Sequence, residues 1–128
     1  MIFLLDTQIA VWALFDDPRL KQTARDILNG PGNEFRFSAC SIWELAIKRA
    51  LNKPGFQHDP HQIRGYLLRN GCEELTVQGE HAVAVGSLPP IHKDPFDRML
   101  IAQAIVEGIT LLTTDAVIAE YPGPILKV

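Results

Sequence analysis

Residues 2–7 read IFLLDT, four consecutive apolar residues from Ile2 to Leu5 that run straight into Asp6 and Thr7. Apolar residues on consecutive rather than alternate positions belong to a strand buried on both faces, as in a parallel sheet covered by helices. Residues 110–115, TLLTTD, have a related form: Thr110 to Thr113 reads as a buried strand that ends in hydroxyls and an acid. From the first run outward, Ile9 to Phe15 reads as helical, and Asp17-Pro18 offers an N-cap and an N1 proline to a helix closing at Asn29-Gly30. Glu34 to Ser38 alternates like a strand. Ser41-Ile-Trp-Glu44 begins a helix that runs to about Leu51 and is broken by Asn52 to Gly55. Asp59-Pro60 starts another, stopped by Asn70-Gly71. Glu74 to Val77 is a brief strand, Glu80 to Ser87 a short helix, and Pro89 to Lys93 a loop. Asp94-Pro95 caps a strongly apolar helix through Glu107, with Gly108 just past its end. After the Thr110 run, Asp115 opens a last short helix, and Ile125 to Val128 forms a final strand. Strands separated by helices, too far apart for hairpins, predict an α/β sandwich around a mostly parallel sheet.

The 128 residues are enough for one core and short for two, and no repeat or linker divides them, so a single domain over 1–128 is expected. With 47% hydrophobic and 21% charged residues the composition is that of a globular protein. A formal net charge of −3 argues against coating nucleic acid by bulk charge, which needs many Lys and Arg contacts. It leaves open an enzyme that touches nucleic acid through a local patch and a metal. Cys40 and Cys72 lie far apart without CxxC spacing and read as buried thiols of a reducing compartment. The apolar N-terminus has no basic leader and is interrupted by Asp6, so neither a signal peptide nor a membrane span is expected, and the chain reads as cytoplasmic.

In open α/β sheets, ligands bind beyond the carboxyl ends of the strands. Asp6 and Asp115 both lie just past such ends, on strands that can be neighbours. Glu44 falls in the first turn of the helix after the second strand. Asp97 falls in the first turn of the long helix, near the rim of the core once Met99, Leu100, Ile101, Ala104 and Ile105 face inward. Carboxylates a few ångströms apart raise each other's pKa, and a hard divalent cation held by oxygens relieves them. Mg²⁺ or Mn²⁺ suits such donors; the four histidines share no helical face with an acid, which argues against zinc. A cation so held serves phosphodiester hydrolysis best.

Each acid also has a structural explanation. Ser41-x-x-Glu44 spells a capping box, Asp94 before Pro95 an N-cap, Asp97 complements a helix dipole, and Asp115 can cap. No cap accounts for Asp6, and a buried acid at a strand end is costly unless paired. Thr7, Thr113 and Thr114 can orient a carboxylate or a water. Lys48 stands four residues after Glu44, as in a helical ion pair, and with Arg49 and Lys53 reads as a solvated face, the alternative being a phosphate-binding rim. Arg98 can contact substrate or pair with an acid. Trp12, Phe15, Trp43 and Tyr66 read as core or interface rather than base-stacking residues.

Taken together, LLDTQIAVWAL, SIWELAIKRAL, HKDPFDRMLIAQA and LLTTDAVI resemble, in order and over essentially the whole chain, the motifs of PIN-domain toxins, the VapC-type ribonucleases of toxin–antitoxin pairs. The resemblance implies a PIN-like three-layer sandwich, a Mg²⁺ or Mn²⁺ site, endonucleolytic cleavage of RNA, a homodimer, and inhibition by a cognate antitoxin. It places Asp6, Glu44, Asp97 and Asp115 as catalytic acids, with Asp6, Asp97 and Asp115 on the metal. Thr114 becomes a supporting hydroxyl and Asp94 a positioning residue. The alternative is a non-catalytic PIN-like module that binds RNA or protein, its acids serving as caps. A haloacid-dehalogenase-type phosphatase also carries an Asp after its first strand, but needs a second Asp two residues on, where this chain has Gln8.

Overall fold

The two apolar runs lie side by side. Strand β1 (Ile2–Leu5) pairs in parallel with β4 (Thr110–Thr113), so that Leu5 stands opposite Leu112 and both strands end together. The computed structural model describes residues 1–128. Between these strands come α1 (Thr7–Leu14), α2 (Gln22–Leu28), β2 (Glu34–Ser38), α3 (Ala39–Ala50), α4 (Pro60–Arg69), β3 (Glu73–Leu75), α5 (Gly79–Val85) and α6 (Pro95–Glu107). A 3₁₀ turn at Ile118–Glu120 and β5 (Ile125–Lys127) complete the chain. The five strands form one sheet in the order β3-β2-β1-β4-β5, and every pairing is parallel. The sheet is therefore wholly parallel, with helices on both faces, as the consecutive apolar residues of β1 and β4 require.

Side chains of each strand alternate between the two faces. Phe3, Leu5 and Leu112 pack with Ile9 and Ala10 of α1, Leu45 of α3, and Ile63 and Leu67 of α4. Leu4 and Leu111 pack on the other face with Leu100, Ile101 and Ala104 of α6, Ile118 and Tyr121. The chain leaves β1 toward β2 and β3 on one side and returns to β4 and β5 on the other. The switch in direction lies between β1 and β4, where their carboxyl ends open a crevice.

Three local expectations change. Asp17-Pro18 does not open α2: the Asp17 carboxylate accepts from the Arg19 amide (2.9 Å) and guanidinium (3.0 and 2.8 Å). The resulting turn sends Leu20, 4% exposed, into the core, and the helix starts only after Lys21. Helix α3 begins at Ala39 with Ser38 as its cap, accepting from Cys40 N at 3.0 Å, so Ser41 and Glu44 are interior and form no capping box. In α6, Ile105 faces solvent at 42% exposure, and Gln103 takes an inward position, donating to Thr76 O at 3.3 Å. No helix is long and apolar enough to cross a membrane.

Gly108 ends α6 in the left-handed region (φ 66°), its amide bonded to Ala104 O, as its place after Glu107 predicts. A Cβ there would meet nothing within 4 Å, so the cost of replacing it is conformational alone. Gly108→Ala is expected to lower the free energy of unfolding by about 1 kcal/mol, read from the urea midpoint, with the m-value unchanged.

Candidate metal centre

Asp6 ends β1 and is only 5% exposed. Because α1 starts at Thr7 rather than Ile9, Asp6 is also the N-cap of that helix: Oδ1 accepts from Ile9 N at 2.7 Å. A cap thus does account for Asp6. Its other oxygen, Oδ2, accepts from Thr113 Oγ1 at 2.6 Å, which ties the ends of β1 and β4 together. Burial raises the pKa of Asp6, against the pull of Thr113, Ile9 and the Thr114 backbone, and the charge of Asp115 adds to the rise. The hydroxyl on Asp6 belongs to Thr113; Thr114 reaches it through the main chain.

Glu44 lies in the second turn of α3 and is 4% exposed. Oε1 accepts from Thr7 Oγ1 at 2.6 Å, and that hydroxyl lies 2.9 Å from Ser41 Oγ. Oε2 accepts from Lys48 Nζ at 2.5 Å. Lys48 is not on a solvated rim, since it also stands 3.6 Å from Asp94 Oδ2. Burial works to lower its pKa, but the hydrogen bond and charge of Glu44, with Asp94 and Asp97 behind, carry it above the ordinary lysine value. Arg49 turns away and pairs with Asp59 at 3.6 Å. Asp94 caps α6, accepting from Phe96 N (2.8 Å) and Asp97 N (3.1 Å), which fits a positioning role.

Asp97 faces the crevice from the first turn of α6, and its Oδ2 lies 2.8 Å from His92 Nε2. Asp115 Oδ2 lies 3.7 Å from the same nitrogen, while Oδ1 accepts from Val117 N at 2.8 Å. Donor atoms of His92, Asp97 and Asp115 fall within 4.8 Å of one another. His92 was not singled out from the sequence, because it sits in a loop where helical spacing gives no signal. Its place comes from Arg98, which neither meets an acid nor faces the crevice. The Arg98 guanidinium donates to Pro89 O (2.9 Å), Val85 O (3.1 Å) and Tyr121 Oη (2.9 Å). Tyr121 Oη accepts in turn from His92 N at 2.7 Å.

Asp6, Glu44, Lys48, Asp94, Asp97 and Asp115 line one cleft of about 220 Å³ at the carboxyl ends of β1 and β4. A larger cavity of about 410 Å³ lies among Leu14, Leu20, Leu28 and Leu67, and its one acid, Asp16, is already paired with Arg25. The acid-lined cleft, though smaller, is the one that gathers titratable side chains. Its donors fit a divalent cation: burial raises Asp97 to about 7, and the charges of Asp94 and Glu44 push the same way against His92. A site that resists ionising by itself is one that a cation stabilises.

The family model of the PIN domain matches residues 3–124. The chain belongs to the PIN domain family. This PIN domain is similar in fold to VapBC2 from Rickettsia felis bound to a promoter DNA fragment, with a TM-score of 0.72 at 18% identity over 100% of this chain and 99% of that one. It is similar to DNA-bound VapBC from Salmonella typhimurium (TM-score 0.68, 21% identity, 99% and 98% covered). A toxin–antitoxin complex from Klebsiella pneumoniae gives a TM-score of 0.65 at 19% identity, with 97% and 95% covered. No curated protein matches the chain by sequence.

The raised Asp97 sets a pH dependence in metal-free protein. Below the ordinary aspartate value of 3.8 the carboxyl is protonated both folded and unfolded, with no effect on stability. Between 3.8 and about 7 the unfolded chain loses the proton while the folded PIN domain keeps it, so stability falls as pH rises, and above about 7 the full penalty stands. Asp6, also raised, acts in the same direction. Asp97→Asn is therefore expected to raise the melting temperature at pH 8 by several degrees and to flatten its decline across this window, as followed by circular dichroism in chelator. An unchanged slope would remove Asp97 as a source.

Proposed function

We propose that this PIN domain is a Mg²⁺- or Mn²⁺-dependent endoribonuclease, the VapC-type toxin of a toxin–antitoxin pair. The observation that carries the reading is that acids from β1, α3, α6 and the turn after β4 line one cleft. A purely structural account covers Asp6, Asp94 and Asp115, each of which caps a helix or turn. It covers Asp97 only as a complement to the α6 dipole and Glu44 only as the partner of Thr7 and Lys48, since neither accepts from a helix-terminal amide.

In this reading Asp6, Asp97 and Asp115 hold the cation, directly or through water. A bound Mg²⁺ or Mn²⁺ supplies a water of lowered pKa and positive charge opposite a phosphorane-like transition state. Glu44, fixed on both oxygens by Thr7 and Lys48, orients the attacking water. Thr113 holds the Asp6 carboxylate toward the cleft, and Arg98 with Tyr121 holds His92 against Asp97. The chain works as a cytoplasmic homodimer on RNA. Its cognate antitoxin inhibits it by placing an Arg or Lys against the carboxylates.

Asp6→Asn and Asp97→Asn are each expected to lower RNA cleavage at least about 100-fold, the loss typical of removing a positioned charge in a site. Excess chelator should abolish cleavage by the wild type. Sequencing RNA ends after expression of wild type and Asp97→Asn checks both catalysis and target; unchanged cleavage in the variant sinks the assignment. Saturable Mn²⁺ binding is the separate check against a capping-only module. For inhibition, a toxin–antitoxin structure should show a basic antitoxin side chain within ion-pair distance of Asp97 or Asp115. Carboxylates left open to solvent in that complex would contradict it.

A further inference from the structure

The cleft is divided by charge. On one side stand Glu44 and Asp94, with Lys48 Nζ between them at 2.5 and 3.6 Å. On the other stand Asp97, Asp115 and His92, whose donor atoms lie within 4.8 Å of one another and include no fixed positive charge. Lys48 does not reach its acids by chance of a flexible surface chain. Its side chain is 23% exposed, and its ammonium sits over the rings of Phe56 (4.8 Å) and Phe96 (5.7 Å), which shield it from water. Glu44 itself is pinned by Thr7 at 2.6 Å on its other oxygen, so it offers Lys48 a fixed partner.

We propose that Lys48 is a resident second cation, which limits the cleft to one divalent ion on the Asp97–Asp115 side and fixes Glu44 beside it. The inference rests on the metal-dependent reading above and adds the number and place of the ions. Hydrolases that use two ions hold them about 3.5–4 Å apart, with carboxylates shared between them. A second ion beside Glu44 and Asp94 would stand against Lys48, whose single charge already bonds Glu44 at 2.5 Å and lies 3.6 Å from Asp94. An ammonium is a compact point charge that repels a divalent ion from the same oxygens, and it does so without exchanging with solvent. Lys48 is a positioning residue in this scheme, acting through Glu44 and through the charge of the site.

Counting Mn²⁺ by electron paramagnetic resonance titration, in the absence of RNA, tests this directly. Wild type is expected to bind one ion. Lys48→Met, which keeps the length of the chain but removes its charge, is expected to bind two, and Lys48→Arg to return the count to one. Should Lys48→Met not fold without metal, Lys48→Gln replaces it, keeping a donor for Glu44 without the charge; the same count of two is expected. Two ions in the wild type, or one in the uncharged variant, would overturn the role of Lys48 while leaving the metal site standing. No saturable ion in the wild type would overturn both.

Discussion

The hydrogen bond from Thr113 Oγ1 to Asp6 Oδ2, at 2.6 Å, closes the crevice between the central strands, and the site depends on it. Asp6 is nearly buried at the end of the most enclosed strand, where an acid without partners would be intolerable. Thr113 supplies one partner and the first turn of α1 another, through Ile9 N. The same threonine accepts from Asp115 N at 3.0 Å, so one hydroxyl sets the positions of two acids on neighbouring strands. Both acids lie where the sheet changes direction, and this is why the fold concentrates carboxylates there rather than along its edges. Burial first, and neighbouring carboxylates after it, raise the pKa of Asp6 and carry that of Asp97 up to about 7.

Much of this was legible in the chain because burial on both faces of a strand leaves a simple mark. Ile2 to Leu5 is apolar throughout, Thr110 to Thr113 carries Leu111-Leu112 at its centre, both are followed by acids, and they do become the adjacent central strands. The helix boundaries were less legible, and two of them exchange the explanations of two acids. Glu44 looks like a cap because Ser41 precedes it by three, yet Ser38 takes that role and α3 starts earlier. Asp6 looks uncapped because the apolar spacing of α1 begins at Ile9, yet Thr7 and Gln8 already have helical backbone. A capping motif specifies a hydrogen bond; it does not say which of several hydroxyls near a helix start will make it.

His92 shows a different limit. Its position is set by contacts distant in sequence: Tyr121, after the 3₁₀ turn, receives the His92 amide, and Arg98 on α6 grips Val85, Pro89 and Tyr121. Arg98 stands next to Asp97 in sequence, but neighbouring residues on a helix point about 100° apart. The guanidinium therefore serves the loop behind the site, and Asp97 receives an imidazole from that loop instead. With the imidazole in place, the donor set is no longer purely oxygen. The lack of a histidine near the acids is therefore no argument against zinc, because His92 stands 2.8 Å from Asp97.

Lys48 brings these threads to one physical question, how a cleft lined by Asp6, Glu44, Asp94, Asp97 and Asp115 stays folded before any cation arrives. Its helical spacing from Glu44 marks an ordinary ion pair, worth little when both partners are solvated. Here Glu44 is buried and two phenylalanine rings flank the partly exposed ammonium, so water screens the interaction only in part. Removing only one partner of such a pair leaves a buried charge uncompensated, which costs far more than the pair gains. Without Lys48, Glu44 would keep only Thr7 as a partner and would have to take up a proton or a metal ion to remain buried. On the other side, Asp97 and Asp115 share only a histidine, so that half of the cleft is the part that gains most from an ion. The unequal neutralisation of the two halves follows from where α3 and α6 start, since Ser38 and Asp94 as caps set the phase that brings Lys48 and Asp97 to face one another across the crevice.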